Sequence, residues 1–328
     1  MKRMIITLLT VCIFTSTLFA SDKESKREIK KEFSVGANPT LQIENKYGHI
    51  RVVEGTESKI IFEIEIIGKG SSADLALKLA ESVSIDFSQN GDKVSAKTVF
   101  ESINCNNCGR TIHYTVVAPK SVTMDLVNKY GNIYLQNAIR PLRVDLKYGN
   151  LEANSLADVN IDIKYGNVTL ETCADYKMDS GYGKFRIGKA NRMNVSSKYD
   201  DFQIGTVADF NLDTKYTKVK IDQLNNSFVC NDFKYGSLAI NDISTQFSRI
   251  KVSAGYSSIK LALDKRHSFK ANLSTRYGKI NAGNLTFNNV SLGNKERNSD
   301  SISGTVGSNA NPSATVDISA SYGDITLN

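Results

Sequence analysis

A tyrosine followed by glycine or a small polar residue recurs at Tyr130, Tyr148, Tyr165, Tyr182, Tyr199, Tyr216, Tyr235, Tyr256, Tyr277 and Tyr322. The successive spacings are 18, 17, 17, 17, 17, 19, 21, 21 and 45 residues, and a nearly fixed period in this range signals stacked structural repeats. An isolated copy, Asn45-Lys46-Tyr47-Gly48-His49-Ile50, lies upstream and parallels Asn128-Lys129-Tyr130-Gly131-Asn132-Ile133.

Five units of 17 residues, beginning at Leu142, Val159, Tyr176, Met193 and Phe210, show what each repeat buries. The third column reads Val144, Ile161, Met178, Val195, Leu212, and the seventh is the tyrosine. The tenth reads Leu151, Val168, Phe185, Phe202, Val219, the twelfth Ala153, Leu170, Ile187, Ile204, Ile221, and the fifteenth Leu156, Cys173, Ala190, Val207, Leu224. Alternation of apolar and polar residues at period two marks a strand with one buried face. No unit carries an apolar pattern at helical spacing, which excludes leucine-rich, ankyrin and other helix-bearing repeats. The expected fold is all-β: a parallel β-solenoid, one coil per repeat, with about 17–21 residues per coil.

Stacked coils bring like residues into ladders about 4.8 Å apart. By strand parity the tyrosines share a face with the apolar first and third columns, so an inward, structural ladder is expected, each hydroxyl bonded near a corner; the alternative is an outward aromatic strip that stacks on sugar rings. Fifth-column residues shrink from Leu146 and Ile163 to Ser180, Ser197 and Thr214, as if the neighbouring ring took the space. Gly149, Gly166 and Gly183 are the expected positive-φ residues of the corner.

Residues 1–20 read as a secretory signal peptide, with Lys2 and Arg3 ahead of an apolar run ending in Leu18-Phe19-Ala20. Its removal lowers the formal charge from +7 to +5 and leaves no transmembrane segment. Residues 21–120 form a β-rich N-terminal cap with one short helix beginning at Ser71-Ser72-Ala73-Asp74, and residues 121–328 form the solenoid. Residues 23–32, mixed in charge, read as a solvated tail. The polar stretch 293–312 reads as a loop within the final coils, with the Tyr322-Gly323-Asp324-Ile325 turn added last.

These features resemble the bacterial secreted or envelope-associated β-solenoid family of "putative adhesin" or "head GIN" proteins. The resemblance rests on the signal peptide, residues 44–50, Val116-Val117-Ala118-Pro119, the repeated Lys-Tyr-Gly-Asn units and Ser321-Tyr322-Gly323-Asp324-Ile325. It implies a single-stranded parallel β-helix, right-handed, in a cell-envelope role such as adhesion or stress response, with no catalytic residues to transfer.

The residues themselves suggest little chemistry. Three histidines, His49, His113 and His267, accompany no nucleophile motif, and the glycines form no phosphate loop. No catalytic, cofactor-binding or metal-ligating residue is expected, and no cofactor. The enzymatic alternative is a polysaccharide lyase or hydrolase on a parallel β-helix, acting through Asp145, Asp162, Asp179 and Asp213 beside Lys147, Lys164, Lys198 and Lys215. The plainer account is a solvated face whose opposite charges offset one another. Cys105 and Cys108 are expected to form a small-loop disulfide in an exported chain, whereas Cys173 and Cys230 stay free. Lys and Arg form no uninterrupted cluster, so nucleic acid is not an expected partner. The expected protein is exported to the periplasm, outer surface or medium, is not an enzyme, and offers a rigid surface to an envelope or extracellular partner, protein or glycan.

Overall fold

A computed structural model describes residues 23–292 and 298–328. The signal-peptide segment lies outside the described residues, as does part of the 293–312 stretch. The fold is all-β, with a single α-helix among the described residues, and is built as a solenoid of stacked coils.

The N-terminal end contains β1 (Lys23–Ser34), β2 (Thr40–Lys46), β3 (Ile50–Gly55), β4 (Lys59–Gly70), α1 (Ala73–Glu81), β5 (Val83–Asn90), β6 (Lys93–Phe100) and β7 (Gly109–Pro119). The helix starts where the sequence predicts it: Ser72 accepts the Leu75 amide through its Oγ at 3.2 Å, satisfying an otherwise orphaned donor. Its Ala76, Leu79 and Ala80 are buried. β1 is not a loose tail but pairs antiparallel with β4 along its whole length. Ile29 and Phe33 pack against the core, while Lys26 bonds Glu65 at 2.8 Å and Lys30 bonds Glu63 at 3.0 Å. The mixed charges that suggest solvation are thus cross-strand partners.

β2 and β3 form the first coil. On one side they pair in parallel with β6 and β7, and on the other with β8 (Thr123–Lys129) and β9 (Ile133–Ala138). The stack therefore takes in one coil from the region expected to be cap alone, and Tyr47 heads the tyrosine series. The antiparallel strands β1, β4 and β5 close this end, hiding the strand edge a solenoid would otherwise expose.

The regular coils run through β10 (Leu142–Lys147), β11 (Leu151–Lys164), β12 (Val168–Gly181), β13 (Lys184–Lys198), β14 (Asp201–Lys215) and β15 (Lys218–Lys234). Each pairs with the next in parallel, 17 residues apart, so that Leu151, Val168, Phe185 and Phe202 lie in register, until two register shifts between β14 and β15 lengthen the coil. The first, third, tenth, twelfth and fifteenth columns are buried in all five units, as the periodicity predicts.

The far end departs from chain order. β16 (Ser237–Ile240), β17 (Arg249–Gly255) and β18 (Ser258–Leu261) continue the stack. The next layer is not β19 (Phe269–Arg276) with β20 (Ile280–Asn281) but β23 (Thr315–Ser321) with β24 (Ile325–Leu327). β19 and β20 stack beyond β23 and β24. Antiparallel pairing to β22 (Ser299–Val306), itself paired with β21 (Phe287–Leu292), then closes the end. The turn at Tyr322 is thus not the outermost coil; it sits between those of Tyr256 and Tyr277.

Candidate functional site: an external tyrosine strip

The corner residue of each coil decides what the solenoid shows to solvent. All eleven corner tyrosines, Tyr47 included, have positive φ, between 53° and 65°, in the left-handed region that non-glycine residues seldom occupy. This turn reverses the parity on which an inward ladder was expected. The rings leave the core and lie on the outer surface, 39% to 52% exposed. The expected burial of Tyr130, Tyr148, Tyr165, Tyr182, Tyr199, Tyr216, Tyr235, Tyr256, Tyr277 and Tyr322 is therefore corrected: they do form a ladder, but an external one.

Glycine follows tyrosine for a different reason from the one expected. Gly149, Gly166 and Gly183 are not positive-φ residues. A Cβ on Gly149 would run into the carbonyl oxygen of Gly131, and one on Gly166 into that of Gly149. Glycine serves the close approach of backbones between coils, while tyrosine takes the left-handed turn.

The rings stack in the order Tyr47, Tyr130, Tyr148, Tyr165, Tyr182, Tyr199, Tyr216, Tyr235, Tyr256, Tyr322, Tyr277, with centroids 4.6 to 5.4 Å apart and planes within 17° of parallel. Ten steps of ~4.8 Å give a strip about 48 Å long. Phe100 meets Tyr47 edge-on at 5.8 Å, and the Arg276 guanidinium lies 5.4 Å from the Tyr277 centroid. Ring faces are thus covered by neighbouring rings along the strip, and what meets solvent is a row of ring edges and phenol oxygens. Among the described residues, none of the eleven hydroxyls has a hydrogen-bond partner in the chain, contrary to the expectation of bonds near the corners.

One flank of the strip is the sixth column: Lys46, Lys129, Lys147, Lys164, Gly181, Lys198, Lys215, Lys234, Gly255, Ser321 and Arg276 in stacking order. The other carries Asn132, Asn150 and Asn167, whose side-chain oxygens accept backbone N–H groups from the following coil. Further along, Asp200 and Thr217 replace glycine after the tyrosine and turn inward. The buried Asp200 carboxylate accepts from Ser180 Oγ at 2.6 Å, Ser197 Oγ at 2.7 Å and the Gly183 amide at 2.7 Å. Burial raises its pKa above the ordinary aspartate value. The small fifth-column residues thus accommodate a buried carboxylate and its neighbours, not a tyrosine ring.

The carboxylates of the enzymatic alternative lie on the outer face in register from coil to coil, Asp145 with Asp162 and Asp162 with Asp179. Asp179 is ion-paired to Lys164. A shallow groove of about 530 Å³ runs beside Asp179, Ser196 and Asp213, with Lys177, Asn194 and Asn211 on its wall. Among the described residues no group of three or more His, Cys, Asp or Glu side chains is placed to hold a metal ion. His49 and His113 stack at 3.8 Å near the cap, and burial lowers the pKa of both. His267 is buried between the Ile243 carbonyl, 2.8 Å from Nε2, and the Asp264 amide, 3.1 Å from Nδ1, in a structural role.

Cys105 and Cys108 face each other across a short loop, Cα atoms 6.1 Å apart, within the span a disulfide requires. Cys173 and Cys230 are free and buried, and desolvation pushes both thiols up to about 12. No described helix is long and apolar enough to cross a membrane.

The comparison with curated proteins returned no match. Solved structures similar to this chain include a "putative cell adhesion protein" from Clostridium sporogenes ATCC 15579, at 11% identity and TM-score 0.21, covering 92% of this chain and 99% of that one. A "putative adhesin" from Bacteroides fragilis NCTC 9343 aligns at 14% identity and TM-score 0.34, over 93% and 98% of the two chains. Another from Parabacteroides merdae ATCC 43184 aligns at 11% and 0.37, over 73% and 91%. The Toastrack DUF4097 family matches residues 25–328, and the chain belongs to it.

Proposed function

We propose that this chain is an exported, non-catalytic adhesion protein that holds an envelope or extracellular glycan along its tyrosine strip. The observation that carries this reading is the set of eleven exposed tyrosines in one stacked row whose hydroxyls have no hydrogen-bond partner among the described residues. A soluble protein seldom leaves so many large side chains aligned on its surface without a partner, and tyrosine, with an apolar body and a polar tip, suits wet interfaces. A rigid solenoid holds the row in place without ordering loops on binding, so little conformational entropy is lost.

The test is affinity electrophoresis on a panel of soluble polysaccharides, combined with assays for released reducing or unsaturated sugar. The expected result is retardation by at least one polymer with no sugar released, lost in the Tyr148→Asn/Tyr165→Asn/Tyr182→Asn variant. Asparagine tolerates the left-handed turn, so that variant retains the corner. Absence of retardation by every polymer, or sugar release abolished by Asp162→Ala, would overturn the reading, the latter in favour of a glycan-processing enzyme.

A further inference from the structure

The strip differs along its length in how its lysines are compensated. Lys164 is ion-paired to Asp179, and Lys215 and Lys234 share Asp232, at 3.5 and 2.8 Å; Lys198, between them, has no ion pair among the described residues but stands alone, with paired lysines or glycine on the neighbouring coils. Lys46, Lys129 and Lys147 stand in register on three successive coils, beside Tyr47, Tyr130 and Tyr148. No carboxylate lies within ion-pair distance of any of the three among the described residues. Of the acidic side chains two positions before them, Glu44 is bonded to Lys97 at 2.9 Å and Asp145 makes no ion pair, while Val127 occupies the position between. Like charges in register on neighbouring strands repel; Lys46 Nζ lies 4.4 Å from the Tyr47 ring centroid, and a ring face offsets a charge less than a paired carboxylate does.

The opposite flank over the same coils is His49, Asn132 and Asn150. Asn132 donates its Nδ2 to Tyr134 at 2.7 Å, and Arg51 lies 4.8 Å from the Tyr134 ring. This end of the strip therefore combines a row of ammonium groups, a row of phenol hydroxyls and ring edges, which carry the positive end of the aromatic quadrupole. It is rich in donors and positive potential. Because the ring faces cover one another, a sugar cannot lie flat on them, and recognition must come from charge and hydrogen bonds at the edges.

We infer that the first coils bind a linear acidic glycan whose carboxylates bridge the lysine ammoniums and tyrosine hydroxyls, the chain of sugars running along the solenoid axis. This rests on the glycan reading above and adds the class of polymer. An extended sugar unit is comparable in length to one coil step, so successive acidic units meet successive lysines. A neutral polymer would desolvate three ammoniums without a counter-charge, which is unfavourable.

Affinity electrophoresis with polygalacturonate, its fully methyl-esterified form and poly-L-glutamate separates the outcomes, using the protein and its Lys46→Gln/Lys129→Gln/Lys147→Gln and Tyr130→Phe/Tyr148→Phe variants. The expected result is retardation by polygalacturonate alone, weakened about tenfold or more by the lysine changes and by added salt, and weakened less by loss of the hydroxyls. Circular dichroism of these surface variants should match the parent. Equal retardation by the methyl ester would overturn the acidic assignment and leave the glycan reading standing. Equal retardation by poly-L-glutamate would make the site a general polyanion surface and overturn the glycan class. Polygalacturonate binding indifferent to the lysine changes would overturn the location, and no binding to any of the three would overturn the inference as it stands.

Discussion

The wall of the solenoid carries aromatic columns on both sides, and they behave differently. Inside, Phe185 and Phe202 stack at 4.8 Å, and Phe202 meets Phe210 edge-on at 6.4 Å, all of them fully buried. Outside, tyrosines stack with the same spacing but remain half exposed. Coil spacing sets the distance in both cases, so stacking by itself does not mark a core. What separates the columns is burial, and burial follows from one backbone dihedral at the corner.

The sharpest way to break this contrast is to truncate a ring on each side. Phe202→Ala should cost about 3–5 kcal/mol, the range for a large aromatic removed from a packed interior, read from the shift in urea unfolding midpoint at constant m-value. A cost below about 1 kcal/mol would mean that the interior column is not tightly packed. Tyr165→Asn removes a ring with two stacked neighbours, each pair contributing about 0.5–1.5 kcal/mol beyond burial in well-packed surroundings. Half exposure should hold the total to about 1–2 kcal/mol. Should the two substitutions prove equally costly, the distinction between the columns would fail.

A smaller effect concerns the buried carboxylate between the two columns. Asp200 binds its proton more tightly when folded than when unfolded, because burial raises its pKa. In the window between the ordinary aspartate pKa and the raised value, the folded state holds more protons, so the contribution of this group to stability falls as pH rises through that window. Asp200→Asn should flatten this part of the stability profile, measured as unfolding midpoint against pH; an unchanged profile would show that the carboxylate does not titrate on folding. At the cap, Cys105 and Cys108 should both resist alkylation until reductant is added, checked by peptide mass mapping. The joined loop spans few residues, so reduction should lower stability only modestly.

Much of the architecture is legible in the sequence because solenoid columns repeat the same local demand. Leu151, Val168, Phe185 and Phe202 declare an inward column four times over, and Ser72 announces the helix by its capping chemistry. The tyrosines mislead because period-two parity presumes an uninterrupted strand, and a single left-handed residue inverts it. Unbroken tyrosine at a position followed by glycine is the available signal, since glycine there reports backbone contact between coils and leaves the turn to its neighbour. The pairing of Asp200 with Ser180 is equally hidden: Ser197 is a local partner three residues away, but Ser180 is 20 positions away and meets Asp200 only once the coils are stacked. The order of the final layers is illegible for another reason. Tyr277 and Tyr322 carry similar corner signatures, so local sequence specifies a coil without specifying its place in the stack. The lysine row can be read from sequence, but which lysines lack a carboxylate depends on side-chain geometry.

The layer formed by β23 and β24 lies between two layers that are synthesised before it. Up to β18 the molecule can assemble in the order in which it emerges, each coil templated by the one below. From there the order breaks: β19 and β20 are made before the layer on which they finally rest, and β23 and β24 must take the place between them and β17 and β18. The final seating is therefore an act of insertion, and it completes the tyrosine row and the end closure together. A chain interrupted before residue 315 would lack the layer that joins β19 and β20 to the stack in the finished molecule.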